Sequence, residues 1–183
     1  MCRKLILVAL LLTLGGCALF ARPPAQPPLR PLAPLPAGES RQLVQHIAVT
    51  WRGEQSDLMG ASLLGPELVK VSLLTPQGVS LLDIHYDGRE VKAQEYLGGG
   101  RQIPPRALLA DMQLVYWPLD LLQANLPASW TLREESTADG RRRELYFNGE
   151  LYTEVSYSGP DIWRAQVQLQ QKSLGYGLRI KNL

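Results

Sequence analysis

The run Trp163-Arg164-Ala165-Gln166-Val167-Gln168-Leu169-Gln170 and the nearby run Leu174-Gly175-Tyr176-Gly177-Leu178-Arg179-Ile180-Lys181 decide the fold. In the first, Trp163, Ala165, Val167 and Leu169 alternate with arginine and glutamine. In the second, Leu174, Tyr176, Leu178 and Ile180 alternate with glycine, arginine and lysine. A period of two sends successive side chains to opposite faces of an extended chain. Both runs therefore predict strands with one apolar face and one wet face.

Working outward, the same period recurs. Leu43, Gln45, Ile47, Val49 and Trp51 share one face, as do Leu82, Ile84 and Tyr86, and then Leu151, Thr153, Val155 and Tyr157. Turn signals separate the runs: Pro76-Gln77-Gly78, Asp87-Gly88, Asp139-Gly140, Asn148-Gly149 and Ser158-Gly159-Pro160. The spacing predicts an antiparallel sheet of about nine to eleven strands joined by hairpins. The pattern breaks once, between Pro104 and Pro127. Pro105 suits a helix start, and Leu108, Leu109, Met112, Val115 and Tyr116 form a 3.6-period stripe. Pro118 stops that helix and opens a second, with Leu119, Leu122 and Leu126 on one face. The helical segment is expected over residues 105–126, its apolar side against the apolar side of the sheet.

The amino-terminal fifth reads differently. Arg3 and Lys4 precede an apolar run from Leu5 to Leu14. Ten helical residues reach about 15 Å, half of a bilayer core, so this run predicts a signal peptide rather than a span. Leu14-Gly15-Gly16-Cys17-Ala18 follows and matches a bacterial lipobox. Cleavage after residue 16 would leave Cys17 as the lipidated first residue, its several acyl chains giving a firm anchor. By similarity to enterobacterial lipoproteins, Ala18 rather than aspartate at the next position implies the outer membrane, periplasmic face. The only other cysteine is Cys2, in the discarded segment, so no internal disulfide is expected. Residues 22–37 hold seven of the fourteen prolines. That density predicts an extended stalk reaching roughly 50 Å. The expected organisation is a signal peptide 1–16, a lipidated cysteine and tether 17–37, and a β domain 38–183.

Composition narrows the function. At 45% apolar and 20% charged residues, the chain is neither disordered, collagen-like nor multispan. Nineteen basic against seventeen acidic residues give a net charge of +2, which makes no electrostatic case for nucleic acid. His46 and His85 have no second histidine or cysteine at ligand spacing, so no metal or other cofactor is expected. The pair Asp83 and His85 invites a catalytic dyad but is set aside, as neighbours on a strand expected to point to opposite faces. No Gly-x-Ser-x-Gly elbow occurs. Gly98-Gly99-Gly100 lacks the lysine of a phosphate loop and reads as a connection. Arg141-Arg142-Arg143 beside Glu134, Glu135 and Glu144 reads as a solvated hairpin tip. Nothing in the residues argues for an enzyme.

Short segments carry a resemblance over residues 43–183. They are Leu73-Leu74-Thr75-Pro76-Gln77-Gly78, Ile103-Pro104-Pro105, Trp117-Pro118-Leu119, Asn125-Leu126-Pro127, Leu151 to Tyr157 and Gly177-Leu178-Arg179-Ile180-Lys181. Their order resembles the LolB family of outer-membrane lipoprotein receptors. It is closer still to a group of LolB-like bacterial lipoproteins often encoded beside fatty-acid-like or aryl polyene synthesis enzymes. The resemblance implies a mainly β (α+β) fold: a curved antiparallel sheet, or open half-barrel, capped by the helical insertion. It also implies a cavity that takes the acyl chains of a lipoprotein, lipid or polyene-type amphiphile, and a periplasmic carrier protein as partner. Candidate cavity residues are Trp51, Leu82, Ile84, Tyr86, Leu108, Leu109, Met112, Trp117, Leu122, Val155, Trp163 and Tyr176. LolB carries an exposed leucine in an insertion loop, and the turn aligned with it here is Pro76-Gln77-Gly78. Glutamine forgoes the ~1.5–3 kcal/mol gained by burying a leucine, so the insertion step is in question. Leu63-Leu64-Gly65-Pro66 offers another apolar tip or a strand end in the core, the second being preferred. The alternative to a carrier is a structural or scaffolding lipoprotein whose aromatics fill an ordinary core and which recruits a periplasmic partner through its sheet edge or stalk. A lipid hydrolase with a dispersed site is the third possibility.

Overall fold

The structure, a computed structural model, describes residues 28–96 and 103–183. The signal peptide, Cys17 and the triple glycine at 98–100 lie outside the described residues. Ten antiparallel strands form one sheet: β1 (Arg41–Trp51), β2 (Glu54–Leu64), β3 (Val69–Leu74), β4 (Ser80–Tyr86), β5 (Val91–Glu95), β6 (Trp130–Thr137), β7 (Gly140–Phe147), β8 (Glu150–Tyr157), β9 (Val167–Gln171) and β10 (Tyr176–Asn182). Two helices, α1 (Pro105–Tyr116) and α2 (Leu119–Ala124), fall between β5 and β6.

The strand order is β5-β4-β3-β2-β1-β10-β9-β8-β7-β6. The chain meanders outward from β1 to one edge, crosses by way of the helices to the other edge, and meanders back until β10 pairs with β1. Because β5 and β6 are the two edges and do not pair, the sheet curls without closing. The expected curved sheet with a helical insertion is the architecture found.

Local chemistry explains the elements. Asn148 and Gly149 both take positive φ, at 50° and 84°, which is what a two-residue turn between twisted strands requires. Pro105 occupies the first turn of α1, where its missing N–H costs nothing. Pro118 ends one helix and starts the next, its carbonyl accepting from the Leu122 amide at 3.1 Å. Register puts Gln45, Ile47 and Val49 on the inner face with Leu178, Ile180 and Asn182 of β10. Leu64 is buried at the end of β2, so its segment is core.

Three expectations are corrected. The strand expected from Trp163 begins only at Val167. Asp161 holds residues 161–165 in a turn: its carboxylate accepts from the Trp163 amide at 2.9 Å and its carbonyl from the Ala165 amide at 2.8 Å. Such side-chain bonds compete with strand pairing. Arg143 is no solvated tip but 2% exposed. It donates to Glu134 at 2.6 Å and to the carbonyls of Leu114 and Trp117 at 2.7 and 2.9 Å, capping the carboxyl end of α1. Residues 28–37, counted as stalk, lie extended across α1 as a strap. Arg30 and Ala33 are buried there.

Candidate functional site

The strap explains why α1 is buried on nearly every side although Asp111 and Gln113 break its apolar pattern. The Gln113 amide pairs with both backbone groups of Ala33 at 2.9 Å, as a neighbouring strand would. Trp117 Nε1 donates to Pro34 O at 2.8 Å, and the Tyr86 and Tyr152 hydroxyls donate to Ala33 O and Pro28 O at 2.9 Å. Arg30 donates to Ala110 O and lies near enough to Asp111 to stabilise its charge. Burial pushes the Arg30 guanidinium down to about 10, so it stays charged at neutral pH. Burial also pushes the Asp111 carboxyl up to about 6, against the pull of a hydrogen bond from Tyr176 and of Arg30.

Between α1 and the sheet runs a narrow apolar seam of about 70 Å³. Leu108, Leu109, Met112 and Val115 form its roof. Its floor is built by Ile47 and Val49 of β1, Leu58 of β2, Val71 and Leu73 of β3, Ile84 of β4, and Leu169, Leu178 and Ile180 beyond. Small residues on β2 make the space. Gly60 and Ser62 occupy inner-face positions between Leu58 and Leu64. A Cβ on Gly60 would come within 2.9 Å of Ile47 Cδ1.

The two halves of the sheet differ in packing. Leu132, Leu145, Val155, Val167 and Leu169 on β6–β9 are at most 4% exposed. Ile47, Val49, Leu58, Val71 and Leu73 on β1–β3 face the seam and are only half-buried. A polar cluster closes one end: Gln45 Nε2 donates to Tyr116 OH at 2.6 Å and to Asn182 Oδ1 at 2.7 Å. Burial raises the Tyr116 and Tyr176 phenols above their ordinary value, so both remain protonated donors.

A second, wetter groove of about 500 Å³ adjoins the seam and shares Tyr116 with it. Trp163 stacks on Tyr116 at 5.1 Å, and the Arg41 guanidinium lies 4.5 Å over Trp163. Arg141 and Arg143 with Glu134 line the far side. Glu134 pairs with both Arg141 and Arg143, and the charged lining leaves the seam as the apolar site although it is smaller.

Of the twelve candidate residues, Ile84, Leu108, Leu109 and Met112 line the seam. The others serve elsewhere. Trp51 stacks on Tyr176 at 5.8 Å. Tyr86 and Trp117 hold the strap. Leu82, Leu122 and Val155 are buried core, and Trp163 lines the outer groove. Sequence reasoning missed Leu58, Ser62, Val71 and Leu73. The available signal was the small pair Gly60 and Ser62 at alternate positions of an otherwise apolar strand end. Pro76, Gln77 and Gly78 form an exposed turn, with Val79 beside them 49% exposed.

Asp83 and His85 are two apart and share the outer face of β4, so alternation does not separate them. The Asp83 carboxylate is instead engaged by Ser72 Oγ at 2.6 Å and Tyr96 OH at 2.7 Å, bonds that hold it below the usual carboxylate range. His46 makes an exposed contact with Asp57 at 3.0 Å. Among the described residues no three of His, Cys, Asp and Glu converge as a metal group, and no helix is long and apolar enough to cross a membrane.

Among curated proteins, none matches this chain. A family model does match, over residues 42–183, and the seam, both helices and all but the first residue of the sheet fall within it. The chain therefore belongs to the family described as a protein of unknown function, DUF3261.

Proposed function

We propose that the protein is an outer-membrane lipoprotein, anchored through Cys17, that binds acyl chains between α1 and the inner face of the sheet. In this reading it passes a lipoprotein, lipid or polyene-type amphiphile to or from a periplasmic carrier, and acts by binding rather than catalysis. One observation carries it: five aliphatic side chains on β1–β3 stay half-buried and converge with Leu108 and Met112 on one seam. Each methylene buried there contributes about 0.8 kcal/mol. The LolB-like order of elements supports the same reading, although a shared fold does not itself imply a shared function. Entry of a chain requires α1 to lift. Its carboxyl end is clamped by Arg143 and by Tyr157 OH, which donates to Val115 O at 2.8 Å. Its middle is held from outside by the strap. Residues 28–37 being docked, the expected stalk shortens to residues 22–27, a reach of roughly 20 Å rather than 50 Å.

The second reading, a scaffolding lipoprotein with a filled core, is favoured by volume. The seam is about half the ~150 Å³ of a cavity that admits benzene. Native mass spectrometry of the full-length chain released from membranes, with extraction of co-purifying lipid, separates the two. The carrier reading predicts an acylated species on wild type and none on folded Leu109→Trp. A bare mass in both, or an unchanged load on Leu109→Trp, overturns it.

A further inference from the structure

We infer that the chain taken up by the seam carries a hydrogen-bonding oxygen along its length, and that Ser62 is the residue that reads it. The inference rests on the chain-binding reading and names its ligand class: an acyl chain bearing a hydroxyl, keto or ester oxygen rather than a plain hydrocarbon.

Ser62 sits on the inner face of β2, opposite Leu43 of β1 and Val71 of β3. It is 7% exposed and lines the seam. Its Oγ is buried without a hydrogen-bond partner. The other polar groups lining the seam are engaged: Gln45 and Tyr116 with each other and with Asn182, Asp111 with Tyr176. A buried hydroxyl without a partner destabilises the fold. Alanine would occupy position 62 without that cost, since the seam has room and both strand neighbours are aliphatic. A saturated chain sliding over β2 leaves the hydroxyl unpaired. A chain with an oxygen at that depth pairs it, in surroundings where no solvent competes.

The test uses the full-length chain in phosphatidylcholine nanodiscs. A photoreactive hexadecanoic acid is displaced by hexadecanoic acid and by hydroxyhexadecanoic acids substituted at successive positions. Each competitor partitions into the same bilayer whichever protein is present, so the ratio between wild type and Ser62→Ala isolates the contact. We expect one hydroxyl position to compete about ten-fold better than the parent acid in wild type, and the advantage to vanish in Ser62→Ala. A flat series in wild type overturns the inference, whether or not the variant folds, and means that Ser62 is satisfied by solvent. An advantage that survives Ser62→Ala overturns it too. Labelling without hydroxyl preference sinks this inference alone, whereas no labelling by any chain sinks the chain-binding reading with it.

Discussion

Replacing Gly60 by alanine should stabilise the protein and weaken chain binding together, two effects that an ordinary core position does not combine. Gly60 has an extended, not left-handed, backbone, so a side chain meets no φ penalty. Its Cβ would lie 2.9 Å from Ile47 Cδ1 and 3.6 Å from Gln45. The nearest atom is a terminal methyl that can swing into the seam, at a rotamer cost of ~0.5–1.5 kcal/mol. Against this, a strand glycine costs ~0.5–1 kcal/mol relative to alanine. Filling the whole 70 Å³ seam would add at most about 1.7 kcal/mol at ~24 cal/mol per Å³, and one methyl supplies a third to a half of that. The expected net gain is about 0.5 kcal/mol, read by urea denaturation with unchanged slope. Chain affinity should drop about four-fold, one methylene's worth of burial. A loss of more than ~1 kcal/mol in stability would mean that the seam has no room. Unchanged affinity would place the chain elsewhere.

Three further outcomes follow from the same contacts. Arg143→Ala should cost about 2–4 kcal/mol in urea denaturation, because it uncaps α1 and leaves the buried carbonyls of Leu114 and Trp117 without their donor, while Glu134 keeps Arg141 at 3.3 Å; a cost below ~1 kcal/mol would contradict the clamp. A chain shortened to residues 38–183 should lose roughly 3–5 kcal/mol relative to residues 28–183, since Gln113, Trp117, Tyr86 and Tyr152 lose strap partners at about 1 kcal/mol each; equal melting temperatures would make the strap a passive stalk. Asp111, raised to about 6 in the fold from an ordinary ~3.9, binds its proton more tightly folded than unfolded. Its contribution therefore favours the fold increasingly as pH falls from 7 towards 4, opposite to the usual carboxylate. The melting temperature of wild type should rise relative to Asp111→Asn over that interval, and parallel profiles would refute the assignment.

The fold was legible because its signals are local. Alternation at Val167–Leu169 and Tyr176–Ile180, the turn at Asn148-Gly149, and Pro105 and Pro118 at helix starts each act over a few residues. What was illegible depends on contacts across the chain. Arg143 shares a run with two half-buried arginines, and only the arrival of α1 above β7 makes it a cap. Residues 28–36 read as a spacer because nothing local shows that Gln113 and Trp117, some eighty residues on, bond to the backbone of Ala33 and to the Pro34 carbonyl. Aromatic size misled the search for the site. Trp51, Tyr86, Trp117 and Trp163 were natural candidates for a cavity wall, yet large rings fill space. The seam lies instead where β2 presents glycine and serine, a signal of missing volume that hydropathy does not register.

The most direct test of the account maps where a chain sits. A photoreactive hexadecanoic acid is crosslinked to the full-length protein and the adducts are located by peptide mass spectrometry. The account predicts adducts on Leu108, Met112 and the inner residues of β1–β3, such as Ile47 and Val71. Adducts confined to the outer groove around Trp163, or to the outer face of the sheet, would contradict it.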